Sequence, residues 1–172
     1  MSDAKTFTTM SSPVGRLTLV GIADSLVGLY FDDDPHAAPA RAGATREDHR
    51  LRRATTQLEE YFAGARTSFD LPLAPAGSPF QKEVWDQLRR IPFGETATYG
   101  QIARAIGKPA ASRAIGGANH RNPIAIIVPC HRVIGADGSM TGYGGGLRRK
   151  RLLLELESRV AGAGQLGLPG AA

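Results

Sequence analysis

Ser78-Pro79-Phe80-Gln81, Thr98-Tyr99-Gly100-Gln101 and Ser112-Arg113-Ala114-Ile115-Gly116-Gly117-Ala118-Asn119 are the stretches that decide the fold class of the C-terminal half. The first two place a hydroxyl residue three positions before a glutamine, the pattern in which side chain and backbone cap each other at a helix start. Pro79 takes the first helical position, where no N–H is needed. Phe80, Val84, Trp85, Leu88 and Ile91 follow at spacings of 4, 1, 3 and 3, one face of a helix that Pro92-Phe93-Gly94 ends. Ile102, Ala103 and Ile106 carry the second helix to Gly107, and a third runs from about Ser112 to His120. The last two resemble a helix-turn-helix. Its second helix is built mostly of small residues. A helix that reads the major groove carries long polar side chains, whereas small residues such as Ser112, Ala114 and Gly116 permit the close approach a minor groove requires, with Arg113 ready to enter the base stack. The alternative is plain helix packing through glycine and alanine.

Downstream, the apolar run Ile124–Val128 predicts a buried strand leading into Pro129-Cys130-His131-Arg132. Gly142 to Gly146 holds four glycines around Tyr143, and a last helix is expected from Leu147 to Glu157, with a disordered tail over 158–172. Upstream, Thr6–Ser11, Leu17–Ile22 and Leu26–Phe31 read as a meander of three antiparallel strands. A Pro/Ala-rich loop from Asp32 to Gly43 and a helix from Thr45 to Phe62, capped by Thr45 or Asp48, come next; Gly64 stops that helix. The expected organisation is an α/β N-terminal domain with its connector over 1–77 and a mostly helical domain over 78–157.

The chain has 172 residues, 42% hydrophobic and 22% charged, an ordinary globular composition. It has no apolar run of the roughly 18 residues a membrane helix needs, and no basic-then-apolar leader at its start. Cys130 is the single cysteine, which excludes an internal disulfide and a zinc site built on several thiolates; a cytoplasmic location, no metal and no cofactor are expected. Charge is uneven: residues 1–77 hold 8 Lys/Arg against 10 Asp/Glu, a net −2, and residues 78–172 hold 13 against 6, a net +7. A basic half suggests a polyanionic partner, nucleic acid first. An Arg-rich surface without a partner explains the same numbers.

A sole cysteine where the chain leaves the core is a candidate nucleophile. Its thiol ionises near pH 8.5, so it needs a base, and His131 stands beside it with Arg132 adding positive potential. Neighbours in a strand face opposite ways, so the pair needs a turn or a bridging water. A buried inert cysteine and a structural histidine are the competing readings. Glu157, at the expected end of the last helix, opposes the helix dipole, a placement that suggests a role such as fixing a histidine tautomer. Asn122 could tie the turn at Cys130 or be an ordinary loop residue.

Taken together, Asn122-Pro123, Ile126-Ile127-Val128-Pro129-Cys130-His131-Arg132-Val133-Ile134-Gly135, Gly142-Tyr143-Gly144-Gly145-Gly146-Leu147, Lys150 and Glu157 resemble the O6-alkylguanine-DNA alkyltransferases, also called methylated-DNA–protein-cysteine methyltransferases. Phe80-Gln81, Val84-Trp85, Ile91–Thr96, Tyr99-Gly100 and Ala111–Gly116 agree in order and spacing. The resemblance implies an N-terminal ribonuclease-H-like three-stranded sheet with helix and a C-terminal winged-helix-like domain, α+β overall. It implies that Cys130 accepts the alkyl group of O6-alkylguanine, possibly also of O4-alkylthymine, in double-stranded DNA, once and irreversibly. His131 would be the base through a water, Glu157 its anchor, and Asn122 the holder of the turn. Tyr99, Val133, Tyr143, Gly144 and Lys150 would surround the guanine. Ser112, Arg113, Ala114, Gly116, Asn119 and Arg132 would meet the DNA, with Arg113 filling the gap left by a flipped nucleotide. Arg148, Arg149 and Arg151 are further phosphate candidates, Arg104 and Lys108 weaker ones. A monomer is expected. Gly144 stands where many members have serine, and a looser loop there is expected to admit bulkier alkyl groups. A non-enzymatic DNA-binding or lesion-flagging protein, and a cysteine hydrolase, are the alternatives.

Overall fold

The computed structural model describes residues 4–166. Three antiparallel strands, β1 (Lys5–Met10), β2 (Leu17–Ile22) and β3 (Ser25–Phe31), form the expected meander. Leu17, Leu19 and Val20 of β2 are all buried, as befits a strand flanked on both sides. The loop after β3 contains a short helix, α1 (Ala37–Arg41). The helix expected from Thr45 starts later. Thr45–Arg46 is a fourth strand, β4, parallel to β1, so the sheet order is β3-β2-β1-β4. Asp48 does not cap a helix because its carboxylate accepts from Thr8 Oγ1 at 2.7 Å and Arg46 Nε at 3.0 Å. Helix α2 (Arg52–Phe62) therefore begins without a side-chain cap. It ends at Gly64, whose φ of +77° allows Gly64 N–H to reach Tyr61 O and Ala65 N–H to reach Glu60 O. That closure places Tyr61 on the last turn.

Both capping boxes form. Ser78 and Gln81 open α3 (Pro79–Leu88), and Thr98 and Gln101 open α4 (Tyr99–Ala105). Helix α3 stops at Leu88, three residues before the buried Ile91. After α4, Gly107 adopts φ +74° and the chain turns into α5 (Ser112–His120), as the helix-turn-helix reading expects. The Trp85 indole N–H donates to Ala118 O at 2.8 Å and ties α3 to α5 inside the core. Strand β5 (Ala97–Thr98) pairs in parallel with β6 (Val133–Ile134).

The segment Ile124–Val128 is not a strand. Only Ile124 bridges, to Leu29, and the backbone then coils: Ile127 N–H bonds to Ala125 O, Val128 N–H to Ile124 O, and Ile126 sits at φ +71°. An unbroken apolar run reports burial, not backbone conformation. A β-branched residue at positive φ is strained and persists only where its surroundings impose it. Here Leu29 of β3 clamps the segment, its N–H donating to Pro123 O at 2.8 Å and its carbonyl accepting from Ala125 N–H at 3.1 Å. Leu17, Leu19, Leu29 and Phe31 share one core with Trp85, Ile115, Ile124 and Leu153, so both halves position the Pro129–Arg132 segment.

The last helix, α6, runs Leu147–Leu166, nine residues past the expected end. The tail expected to be disordered is helical as far as Leu166; residues 167–172 lie outside the described residues. Glu157 is thus interior to the helix, and the expected conflict with the helix dipole does not arise. Gly94 tests the extension, because a Cβ there would meet Ala161 Cβ at 2.7 Å, whereas one at Gly107 would meet nothing within 4 Å. Both glycines have positive φ. Gly107→Ala should cost about 1 kcal/mol for the left-handed backbone alone, and Gly94→Ala clearly more, by urea denaturation. Equal losses would contradict the packing of the α6 extension.

Candidate active site

Cys130, His131 and Arg132 form a single 3₁₀ turn immediately after Pro129. With about three residues per turn, neighbouring side chains diverge by roughly 120° rather than the roughly 180° of a strand. Asn122 fastens the turn from below. Its Nδ2 donates to Val128 O at 2.8 Å and contacts Cys130 Sγ at 3.2 Å, while its Oδ1 accepts from Ile124 N–H at 2.9 Å.

His131 and Glu157 are completely enclosed. His131 Nε2 meets Glu157 Oε2 at 2.7 Å, and His131 Nδ1 is buried with no protein partner. Arg132 grips the same carboxylate twice, Nε to Oε1 at 2.7 Å and Nη2 to Oε2 at 3.0 Å, and spends Nη1 on Ile91 O at 2.7 Å. The fourth donor is Tyr61, whose hydroxyl gives its proton to Glu157 Oε2 at 2.6 Å. Burial alone would raise the Glu157 carboxyl, but hydrogen bonds and charge from His131 and Arg132 outweigh it and hold the group at about 2. The carboxylate is therefore ionised and accepts the Nε2 proton, leaving Nδ1 as a free acceptor. Burial pushes His131 below its ordinary value; Glu157 opposes that shift, and Arg132 and Lys150 add to it. The resting imidazole is neutral. Burial likewise pushes the Cys130 thiol up, against the Asn122 contact and the Lys150 charge. The resting state is a thiol, not a thiolate.

Lys150 is fully buried. Its Nζ donates to Val133 O at 2.6 Å and Thr141 O at 3.2 Å, pinning the glycine-rich loop to β6. Thr141 Oγ1 in turn contacts the Tyr99 hydroxyl at 2.9 Å. A cavity of about 330 Å³ opens between Tyr99, Gly116, Asn119, His120 and the loop Gly142–Gly144. That volume lies within the roughly 300–1,000 Å³ of small-ligand pockets. Tyr143 lines it and also sits against the Cys130 thiol.

Of the residues expected to meet DNA, Arg113 and Ala114 are exposed, and Ser112 and Gly116 half-buried, on α5. Two others turn inward. Asn119 is buried, its Nδ2 3.3 Å from Cys130 O. Arg132 has its guanidinium committed to Glu157 and Ile91, so it anchors the carboxylate and is not a phosphate contact. Arg149 is also committed: it bonds Val14 O at 2.8 Å and Asp33 at 2.6 Å and lies over the Phe31 ring. Tyr61 is the residue that sequence reasoning missed, since nothing local marks a contact spanning 96 positions. Among the described residues no group of three or more His, Cys, Asp or Glu is arranged to hold a metal, and no helix is long and apolar enough to cross a membrane.

The arrangement defines an α+β protein with a single cysteine, a neighbouring histidine bonded to a buried carboxylate, and a helix-turn-helix in the same half. Two family models match. The 6-O-methylguanine DNA methyltransferase ribonuclease-like domain covers residues 5–75, and the DNA binding domain of the same family covers residues 79–159. The methylated-DNA–protein-cysteine methyltransferase of Mycolicibacterium paratuberculosis is 52% identical over 153 residues, 89% of this chain and 92% of that one. Its counterpart from Methanosarcina acetivorans is 52% identical over 146 residues, 85% of this chain and 94% of its own. The crystal structure of Mycobacterium tuberculosis OGT in complex with DNA matches with a TM-score of 0.85 at 50% identity, covering 90% of this chain and 93% of that one. The chain belongs to the 6-O-methylguanine DNA methyltransferase family.

The buried charges make stability depend on pH. His131 is held below its ordinary 6.5, so the unfolded chain takes up a proton there that the folded chain refuses, and stability falls as pH drops below that value. Glu157, at about 2 against an ordinary 4.5, adds a second loss as pH falls between those values. Glu157→Gln removes this second loss and strands Arg132, so at neutral pH it should cost about 3 kcal/mol in denaturant titration. A cost within experimental error of zero would contradict the assignment of Glu157 as the hub.

Proposed function

We propose that the chain is a methylated-DNA–protein-cysteine methyltransferase that repairs DNA by moving the alkyl group of O6-alkylguanine onto Cys130. The single observation that carries this reading is the free Nδ1 of His131, buried without a protein partner in the residue that follows the only cysteine, while Nε2 is held by Glu157. His131 takes the thiol proton through an intervening water, and the imidazolium so formed is stabilised by the carboxylate. The thiolate, favoured by the Lys150 charge and the Asn122 contact, attacks the alkyl carbon. The S–C bond forms as the C–O6 bond breaks, and the electron pair leaves with guanine, which recovers the proton lost by sulfur. The Tyr99 hydroxyl, at the cavity wall, assists by hydrogen-bonding the departing base at N3. The product is a thioether with no second thiol to release it, so each molecule acts once.

The base cannot be reached inside the duplex and is everted into the cavity beneath Tyr143 and Gly144. Helix α5 docks in the minor groove through Ser112, Ala114 and Gly116, and the exposed Arg113 fills the vacated stack. Arg148 and Arg151, both exposed, meet phosphates. Duplex DNA carrying O6-methylguanine should add about 14 Da, one CH2, to Cys130 with one equivalent transferred and no further turnover. An intact lesion with unmodified protein would refute the reading. Arg113→Ala should slow transfer from duplex by about tenfold but leave single-stranded substrate nearly unaffected; equal loss on both would remove the wedge role.

A further inference from the structure

We propose that Tyr61, supplied by the N-terminal half, is a positioning residue for the transfer: by donating to the same carboxylate oxygen that holds His131, it sets how basic that histidine is. The inference rests on His131 acting as the base. Glu157 Oε2 receives three donors, Tyr61 Oη at 2.6 Å, His131 Nε2 at 2.7 Å and Arg132 Nη2 at 3.0 Å. Donors that share one oxygen compete for its electron density. A strong bond from Tyr61 therefore weakens the hold of Glu157 on the imidazole and keeps His131 neutral until the thiol proton arrives.

The hydroxyl is not needed to fill space. The Tyr61 ring packs against Phe62, Phe69 and Phe93, with centroids 5.1, 5.5 and 6.0 Å away, and phenylalanine would keep all three contacts. Nor does the carboxylate lack donors without it, since Arg132 already bonds both oxygens. Burial and the Glu157 charge raise the Tyr61 phenol far above its ordinary value, so it stays a proton donor at every working pH. The other groups that face this centre are the Arg132 guanidinium, the Lys150 ammonium, the Cys130 thiol and the Tyr143 hydroxyl. None of these belongs to the N-terminal half. Through Tyr61 the ribonuclease-like half acts on the chemistry of a cysteine carried by the other half.

The test is Tyr61→Phe in the full chain, read in two ways: the NMR titration of the His131 ring, and the pH dependence of single-turnover transfer from duplex O6-methylguanine. Both midpoints should move to higher pH, and transfer near pH 6 should fall by about threefold or more relative to transfer near pH 8. A lowered melting temperature with both midpoints unmoved, or a movement to lower pH, would overturn the proposal. If the variant does not fold, 3-fluorotyrosine placed at 61 provides a stronger donor in the same ring, and both midpoints should then move to lower pH; no movement overturns the proposal. If the unaltered chain leaves the lesion intact, the alkyl-transfer function itself has failed. The ring titration needs no substrate and still decides the role of Tyr61.

Discussion

A carboxylate taken out of water must be given donors, and Glu157 collects them from two distant parts of the chain. Arg132 and His131 reach it from the 3₁₀ turn and Tyr61 from the end of α2. An ionised group enclosed with so many donors is costly to disturb, because removing any partner leaves an uncompensated charge or an unmade bond in a low-dielectric interior. That constraint fixes the rotation of His131, and with it which ring nitrogen is free. It also ties α6 to the N-terminal half, because Tyr61 reaches Glu157 from the last turn of α2. Geometry of the site and cohesion of the two halves are thus one interaction seen from two sides.

The cysteine lies at the end of a strained path. Ile126 in the left-handed region, two tight turns at Ile127 and Cys130, and the Asn122 bracket coil the chain between Ile124 and Cys130. The clamp at Leu29 supplies the force that keeps it there. The energetic logic is that of a side chain held in a conformation a free peptide would not adopt, with the cost met by the surrounding core. Lys150 steadies a wall of the cavity, where a buried ammonium exchanges hydration for two carbonyls and holds the glycine loop beside Tyr143.

Much of this was legible in the sequence because its signals are local. The two capping boxes, the meander and the Gly107 turn each depend on residues within a few positions of one another, and each formed. What was not legible depends on distance. Thr45 and Asp48 resemble a helix start until Thr8, far back in β1, claims the Asp48 carboxylate. Ile124–Val128 resembles a strand because a run of branched apolar residues states only that it is buried. The Gly/Ala-rich stretch after Ser158 has weak helix propensity, and its helix gains contacts such as Ala161 against Gly94 that no local pattern announces. Arg132 and Asn119, which the resemblance places at the DNA, are instead buried and bonded inside. The chemical pair Cys130–His131 was visible through its adjacency and its resemblance to a known family. The hydroxyl of Tyr61 was not, because its partner lies in the other half of the chain.

The central claim is that the buried carboxylate holds His131 as a neutral imidazole with its proton on Nε2 and its lone pair on Nδ1. Nitrogen-detected NMR of the ring in the resting protein at neutral pH reads this directly. The account predicts one protonated nitrogen, Nε2, and one bare nitrogen, Nδ1. A proton on Nδ1, or on both nitrogens, would contradict it.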